Sequence, residues 1–323
     1  MGKVLFIRGG AVGDFILTMP AIKLMRDSLP DNEVEILGYP AIAELATATG
    51  LADRVRSIED ARLAPFFAPG ARLDTAWCDY FAGFDLVVSY LYDPDGFFEE
   101  NLKVAGVRTL LSGPFRPDES PPFVPAAAQL ARPLEEIALF LDDPALELDY
   151  PDESGLSTAT DGPLVALHPG SGSPGKNWSF ESWVKVLDRL RERFPDAEFL
   201  VTGGEAESEI IDQFAELLDA AGIPHRLLLD KSLGQLGALY RNVDLYLGHD
   251  SGISHLAASA GAEGVLLFGP TNPEIWAPVS SRMKRVVSPT ASPGNISVAQ
   301  VLEAVDAWSY SQPRRRSYFF GKP

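Results

Sequence analysis

At 323 residues the chain exceeds the ~250 residues at which a single hydrophobic core stops growing, so two α/β cores are expected. With 46% apolar and 22% charged residues it is a globular protein, and a formal charge of −18 argues against a nucleic-acid partner, which requires a basic footprint. The single cysteine, Cys78, excludes an internal disulfide and a cysteine-based zinc cluster.

The apolar stretch at 4–7 is too short for a signal-peptide core and no run of about 18 apolar residues follows. A cytoplasmic protein is expected, with at most peripheral contact at the inner face of the membrane. That stretch predicts a strand ending in Gly9-Gly10-Ala11-Val12-Gly13-Asp14, and Phe15, Leu17, Ile22, Leu24 and Met25 predict a helix with one buried face. A helix over 41–48 and strands over 34–37, 54–58, 86–89 and 107–111 continue the alternation. Residues 149–162 hold several breakers and almost no apolar periodicity, which predicts an interdomain linker and an N-terminal domain over 1–150. Strands over 164–167, 198–201, 226–229, 245–248 and 265–268 then alternate with helices over 180–194, 207–221, 233–241 and 253–260, predicting a second domain over 151–297. A last helix over 298–309 belongs to a terminal segment, 298–323, placed to pack back on the first domain. Such alternation implies two doubly wound domains with parallel sheets. Residues 1–150 carry 12 Lys/Arg against 24 Asp/Glu and residues 151–323 carry 15 against 21, so the first half is the more acidic. Arg314-Arg315-Arg316 reads as a solvated tail.

In open α/β sheets ligands bind beyond the carboxyl ends of the strands, so four strand-to-helix loops are the candidates. The first presents Asp14 at a helix start, where it is equally a capping residue or a functional carboxylate. A dinucleotide fingerprint fails because Arg8 stands where its first glycine belongs, and no acid follows the second strand. The second loop, His168-Pro169-Gly170-Ser171-Gly172-Ser173-Pro174-Gly175-Lys176-Asn177-Trp178, offers amides, hydroxyls and one lysine suited to a diphosphate; the competing reading is a flexible turn. The third, Thr202-Gly203-Gly204-Glu205-Ala206-Glu207, offers a carboxylate for ribose hydroxyls or simply helix-start acidity. The fourth, Gly248-His249-Asp250-Ser251-Gly252, opens a helix whose amides stabilise negative charge, with His255 one turn in, where a lone histidine is more often a core residue. Thr271 lies on a further strand-end loop.

At these residues the sequence resembles glycosyltransferase family 9, the ADP-heptose:lipopolysaccharide heptosyltransferase family. The resemblance is carried in order by Arg8 to Ala21 (Arg-x-x-x-x-Gly-Asp, then Pro-Ala), His168-Pro169-Gly170 with Lys176 and Trp178, Gly203-Gly204, Asp250-Ser251-Gly252 with His255-Leu256-Ala257-Ala258, and Phe268-Gly269-Pro270-Thr271. It implies the GT-B fold, two facing Rossmann-like domains, and an inverting, metal-independent sugar transfer from a nucleotide sugar, ADP-heptose, to a glycan or lipopolysaccharide-core acceptor. By motif position it implies Asp14 as general base, with Lys176, Ser171 and Ser173 at the diphosphate and Glu207 or Glu205 at the ribose. Gly13, Gly170, Gly204, Asp250, Ser251, Gly252, His255 and Thr271 complete the implied donor-site set. Ser251 replaces the family's usual threonine. The tract from Ser89 to Phe98 is aromatic and acidic where relatives carry a glycine loop followed by a cation, which leaves room for a neutral or differently charged glycan acceptor. Two other readings stand beside this one: another GT-B reaction such as nucleotide-sugar 2-epimerisation, and a non-catalytic nucleotide-sugar- or glycan-binding relative.

Overall fold

The computed structural model describes residues 2–151, 162–204, 207 and 210–308. Most of the expected linker, Glu205 and Arg314-Arg315-Arg316 lie outside the described residues. The chain divides into two compact units, Met1–Ala145 and Leu146–Pro323.

In the first unit, strands β1 (Lys3–Arg8), β2 (Glu33–Gly38), β3 (Arg54–Ser57), β4 (Leu86–Ser89) and β5 (Leu110–Ser112) form a parallel sheet in the order β3-β2-β1-β4-β5. Val4, Leu5, Phe6 and Ile7 are all buried. A continuous apolar run of this kind suits a central parallel strand covered on both faces. Helices α1 (Val12–Ser28), α2 (Pro40–Ala48), α3 (Thr75–Ala82), α4 (Phe97–Val104) and α5 (Ala126–Ala131) surround it. Helix α1 begins three residues before its apolar face does, because Asp14 closes its first turn from inside. Helix α4, in the aromatic and acidic tract, starts where the Asp93 carboxylate accepts the amides of Phe98 and Glu99 at 3.1 and 2.9 Å.

The second unit has six parallel strands: β6 (Leu164–Leu167), β7 (Glu198–Gly203), β8 (His225–Leu229), β9 (Leu245–His249), β10 (Gly264–Phe268) and β11 (Met283–Val287), in the order β11-β10-β9-β6-β7-β8. Its helices are α6 (Phe180–Arg193), α7 (Ile211–Ala220), α8 (Leu233–Asn242), α9 (Gly252–Ser259), α10 (Pro273–Trp276) and α11 (Val298–Asp306). Chain reversal from β6-β7-β8 to β9-β10-β11 creates a switch point between β6 and β9, where the two connections leave in opposite directions and open a crevice. In the first sheet the equivalent point lies between β1 and β4.

The boundary between the units lies a few residues before the sequence expectation. The chain joins the second unit by Leu146, because Tyr150 is buried there: its hydroxyl bonds Ser259 Oγ at 2.8 Å and its ring lies against Gly237, where a Cβ would be 2.3 Å from it. Helix α11 buries Val301 and Val305 in the second unit's own core with Trp183 and Leu187 of α6, so its apolar face is already covered within that unit. No helix among the described residues is long and apolar enough to cross a membrane.

Candidate functional site

Asp14 sits at the third position of α1, and its Oδ2 accepts the Ala11 amide at 2.9 Å. Gly10 has φ +97°, and a Cβ there would fall 2.7 Å from that same oxygen, so the turn needs glycine for both reasons. Behind it Arg8, its side chain 1% exposed, points Nη2 at Asp14 Oδ1 at 3.7 Å and donates from Nη1 to the carbonyls of Tyr90 and Phe115 at 3.3 and 3.1 Å. Burial pulls the Arg8 pKa down, and Asp14 and then Tyr90 oppose it. Asp14 therefore caps the helix and also keeps a carboxylate 37% exposed at the sheet's carboxyl edge. Gly13 lies within the first turn of the same helix.

In the second unit the switch point is crossed by one ion pair. Lys176 Nζ, in the 3₁₀ turn Pro174–Lys176 after β6, donates to Asp250 Oδ2 at 2.6 Å, and Thr271 Oγ1, after β10, donates to the same oxygen at 2.5 Å. Three loops thus converge on a nearly buried carboxylate, while the lysine is partly open to solvent. A lysine ammonium has three protons, so two stay available to a ligand. The lysine is positioned from behind: the Trp178 amide donates to His249 Nε2 at 2.8 Å and the Trp178 indole to the Ile296 carbonyl at 3.0 Å. Accepting at Nε2 places the His249 proton on Nδ1, and burial drives its pKa down to about 3, so the ring is neutral. Ser171 Oγ lies 2.7 Å from both the Ser173 carbonyl and Asn177 Oδ1, which folds the loop on itself and leaves Gly172 and Ser173 exposed.

Glu207 occupies a third corner. Its Oε2 accepts the Gly204 amide at 2.9 Å and its Oε1 lies 3.4 Å from His168 Nε2, whose Nδ1 is 3.1 Å from Thr202 Oγ1. Burial raises the carboxyl pKa, but His168 and the backbone amides outweigh it and leave it below the ordinary carboxylate range. Gly170 makes this seat possible, since a Cβ would fall 2.4 Å from Glu207 Cγ. Ser251 caps α9 by accepting the Ser254 amide at 3.3 Å, and Gly252 opens the helix beside Asp250. His255 is buried on the second unit, one turn into α9.

The structure therefore brings Gly170, Ser171, Ser173, Lys176, Gly204, Glu207, Asp250, Ser251, Gly252 and Thr271 to one sheet edge, whereas Gly13 and Asp14 belong to the first unit. Sequence reasoning placed Thr202 in the third loop without a role; the structure shows it ordering His168 and, at 2.8 Å, the Tyr240 hydroxyl. Sequence reasoning missed Arg8 as the support of Asp14; an arginine ending an apolar strand was the available signal. Among the described residues no group of three or more His, Cys, Asp or Glu side chains could hold a metal ion. An open cleft of about 450 Å³ at the opposite, amino edge of the second sheet is lined by Glu147, Asp149, Arg241 and Arg282, whose charges pair with one another.

Residues 105–301 match glycosyltransferase family 9 (heptosyltransferase). The lipopolysaccharide core heptosyltransferase OpsX of Haemophilus influenzae is 27% identical over 158 residues, 49% of this chain and 43% of that protein, so the match spans less than half of the relative. Among solved structures, a glycosyl transferase family 9 protein of Veillonella parvula superposes with a TM-score of 0.77 at 16% identity, covering 95% of this chain and 97% of its own. The E. coli heptosyltransferase WaaC, solved with ADP, superposes with 0.72 at 15% identity, covering 95% of this chain and 100% of its own. At such identities these structures establish the fold, α/β with two parallel sheets of the GT-B class.

Proposed function

This chain belongs to glycosyltransferase family 9, and we propose that it transfers heptose from ADP-heptose to a glycan acceptor of the lipopolysaccharide-core kind, with inversion and without a metal ion. The observation that carries the reading is the Lys176–Asp250–Thr271 cluster at the β6/β9 switch point, where a diphosphate would meet a lysine, hydroxyls and the amino end of α9. WaaC has been solved with ADP and with ADP-2-deoxy-2-fluoro heptose, and the same class of donor is assigned here.

In the proposed reaction an acceptor hydroxyl oxygen bonds to the anomeric carbon and its proton passes to Asp14. The bond from the anomeric carbon to the diphosphate breaks, and ADP leaves with the electron pair. Lys176 and the first amides of α9 stabilise that charge from fixed positions. Asp250 holds Lys176 in place, and Glu207, seated by Gly204 and His168, is assigned to the ribose hydroxyls.

Incubation with ADP-heptose and a panel of core oligosaccharides, with the anomer of the product read by NMR, tests this. Transfer with inverted configuration is expected, and Asp14→Asn should lower kcat by about 10²–10⁴-fold while ADP-heptose binding is kept. Undiminished transfer by Asp14→Asn would remove the assigned base. Conversion of the donor without any acceptor would replace the reading with epimerisation.

A further inference from the structure

The carboxyl edge of the first sheet exposes aromatic rings around Asp14 and little uncompensated positive charge. Tyr92, in the loop after β4, is 65% exposed, and Phe115, in the loop after β5, is 47% exposed. Their ring centroids lie 5.4 Å apart with planes inclined at 54°. Tyr39, directly after β2, is 41% exposed. A Cβ built on Gly9 would lie 4.0 Å from Tyr39 Cε2 and 3.6 Å from Leu91 Cδ2, so the turn leading into Asp14 runs between the Tyr39 ring and the loop of Tyr92.

These pieces are not independent surface residues. The buried Arg8 guanidinium that faces Asp14 also bonds the carbonyls of Tyr90 and Phe115, so one side chain fixes the carboxylate and both ring-bearing loops. Tyr90 secures the arrangement below: its hydroxyl donates to the Leu130 carbonyl at 2.7 Å, and its ring fills the space beside Gly113, where a Cβ would come within 2.3 Å.

The charge at this edge points the same way. Its loops carry Glu59, Asp60, Asp93, Asp95, Asp118 and Glu119. Of the arginines in these loops, Arg62 and Arg116 pair with Asp60 and Glu119 at 2.6 and 2.7 Å, and Arg72 is exposed. A phosphate on a sugar seated at this acidic edge would be repelled by it, and salt screens such repulsion only beyond ~8 Å. An uncharged pyranose ring presents polarised C–H bonds to the negative faces of aromatic rings and hydroxyls to the carboxylate, with no such repulsion.

We propose that Tyr92, Phe115 and Tyr39 form the acceptor subsite beside Asp14, and that the sugar ring seated there is uncharged. The inference rests on the glycosyltransferase reading above and specifies its acceptor. Its test uses the full chain with ADP present and two oligosaccharides that differ only by phosphorylation of one ring, with binding followed by saturation-transfer NMR. The neutral oligosaccharide should bind, with saturation on its pyranose C–H protons. Tyr92→Ala and Phe115→Ala should each weaken it by about tenfold, equivalent to about 1.4 kcal/mol. Tyr92→Phe should retain most of the affinity, and ADP binding should be the same in all variants. Preference for the phosphorylated sugar, absence of binding by both, or indifference to both alanine substitutions would overturn the proposal. Because ADP binding is read separately, failure to bind ADP would count against the glycosyltransferase reading instead, with the neutral-ring result still measurable.

Discussion

Gly170→Ala is expected to damage the donor site without removing any of its polar atoms. The new methyl would lie 2.4 Å from Glu207 Cγ and 2.5 Å from its Oε1, closer than any real contact, so Glu207 must leave its seat. Leaving it gives up the part-buried 2.9 Å bond from the Gly204 amide and the buried 3.4 Å approach of His168. Hydrogen bonds to a charged group contribute about 1.5–3 kcal/mol each, and with partial relaxation we expect a net loss of about 3 kcal/mol. For a unit of this size that lowers the melting temperature by roughly 6–12 °C. Gly172→Ala is the matched control, since nothing lies within 4 Å of its Cβ position. Both substitutions reduce unfolded-chain entropy alike, so that contribution cancels in the comparison. Thermal unfolding of the two variants, with Glu207→Ala and the Gly170→Ala/Glu207→Ala double variant, completes the cycle. Once Glu207 is truncated its Cγ and carboxylate no longer crowd the methyl, so the double variant should differ from Glu207→Ala alone only as much as Gly172→Ala differs from the native chain. Equal melting of Gly170→Ala and Gly172→Ala would refute the packing argument.

Arg8→Lys should destabilise the first unit by about 2–3 kcal/mol, because a lysine cannot serve two carbonyls and a carboxylate from one planar fork; denaturant unfolding would show it, and a loss under 0.5 kcal/mol would contradict it. His249 imposes a pH dependence of known sign. Its folded pKa of about 3 lies below the unfolded value of 6.5, so the unfolded chain binds the extra proton and stability falls on acidification through that window. The slope from this residue is about 0.7 kcal/mol per pH unit at pH 6.5, rises to about 1.4 by pH 5 and fades as the pH approaches about 3, and His249→Asn should abolish it. An unchanged slope would mean that other groups carry the dependence.

Much of this architecture is legible in the sequence because local and global signals agree. The run Val4-Leu5-Phe6-Ile7 followed by Gly9-Gly10 announces strand and turn, and the loops after β6, β7 and β9 stand out by their glycines and hydroxyls. Strand β11 escapes notice because Lys284 and Arg285 interrupt its apolar pattern, as suits an edge strand with partly exposed side chains. Contacts between distant residues were hidden altogether. Lys176 and Asp250 are 74 positions apart, and only the crossover of β6 and β9 makes them neighbours. Asp14 posed a choice between cap and functional group that has no single answer, since one carboxylate oxygen accepts the Ala11 amide while the side chain stays exposed. The Ser89–Phe98 tract looked like a departure from pattern; its Asp93 caps α4 and its Tyr92 joins Phe115.

The central claim, a nucleoside diphosphate held at the β6/β9 switch point, is tested most directly by calorimetric titration of ADP into the native chain and into Lys176→Met. The native chain should bind, and the variant should bind about 10–100-fold more weakly, since a charge-assisted contact of about 1.5–3 kcal/mol is lost. Equal affinity in the two proteins, or no binding to either, would contradict it.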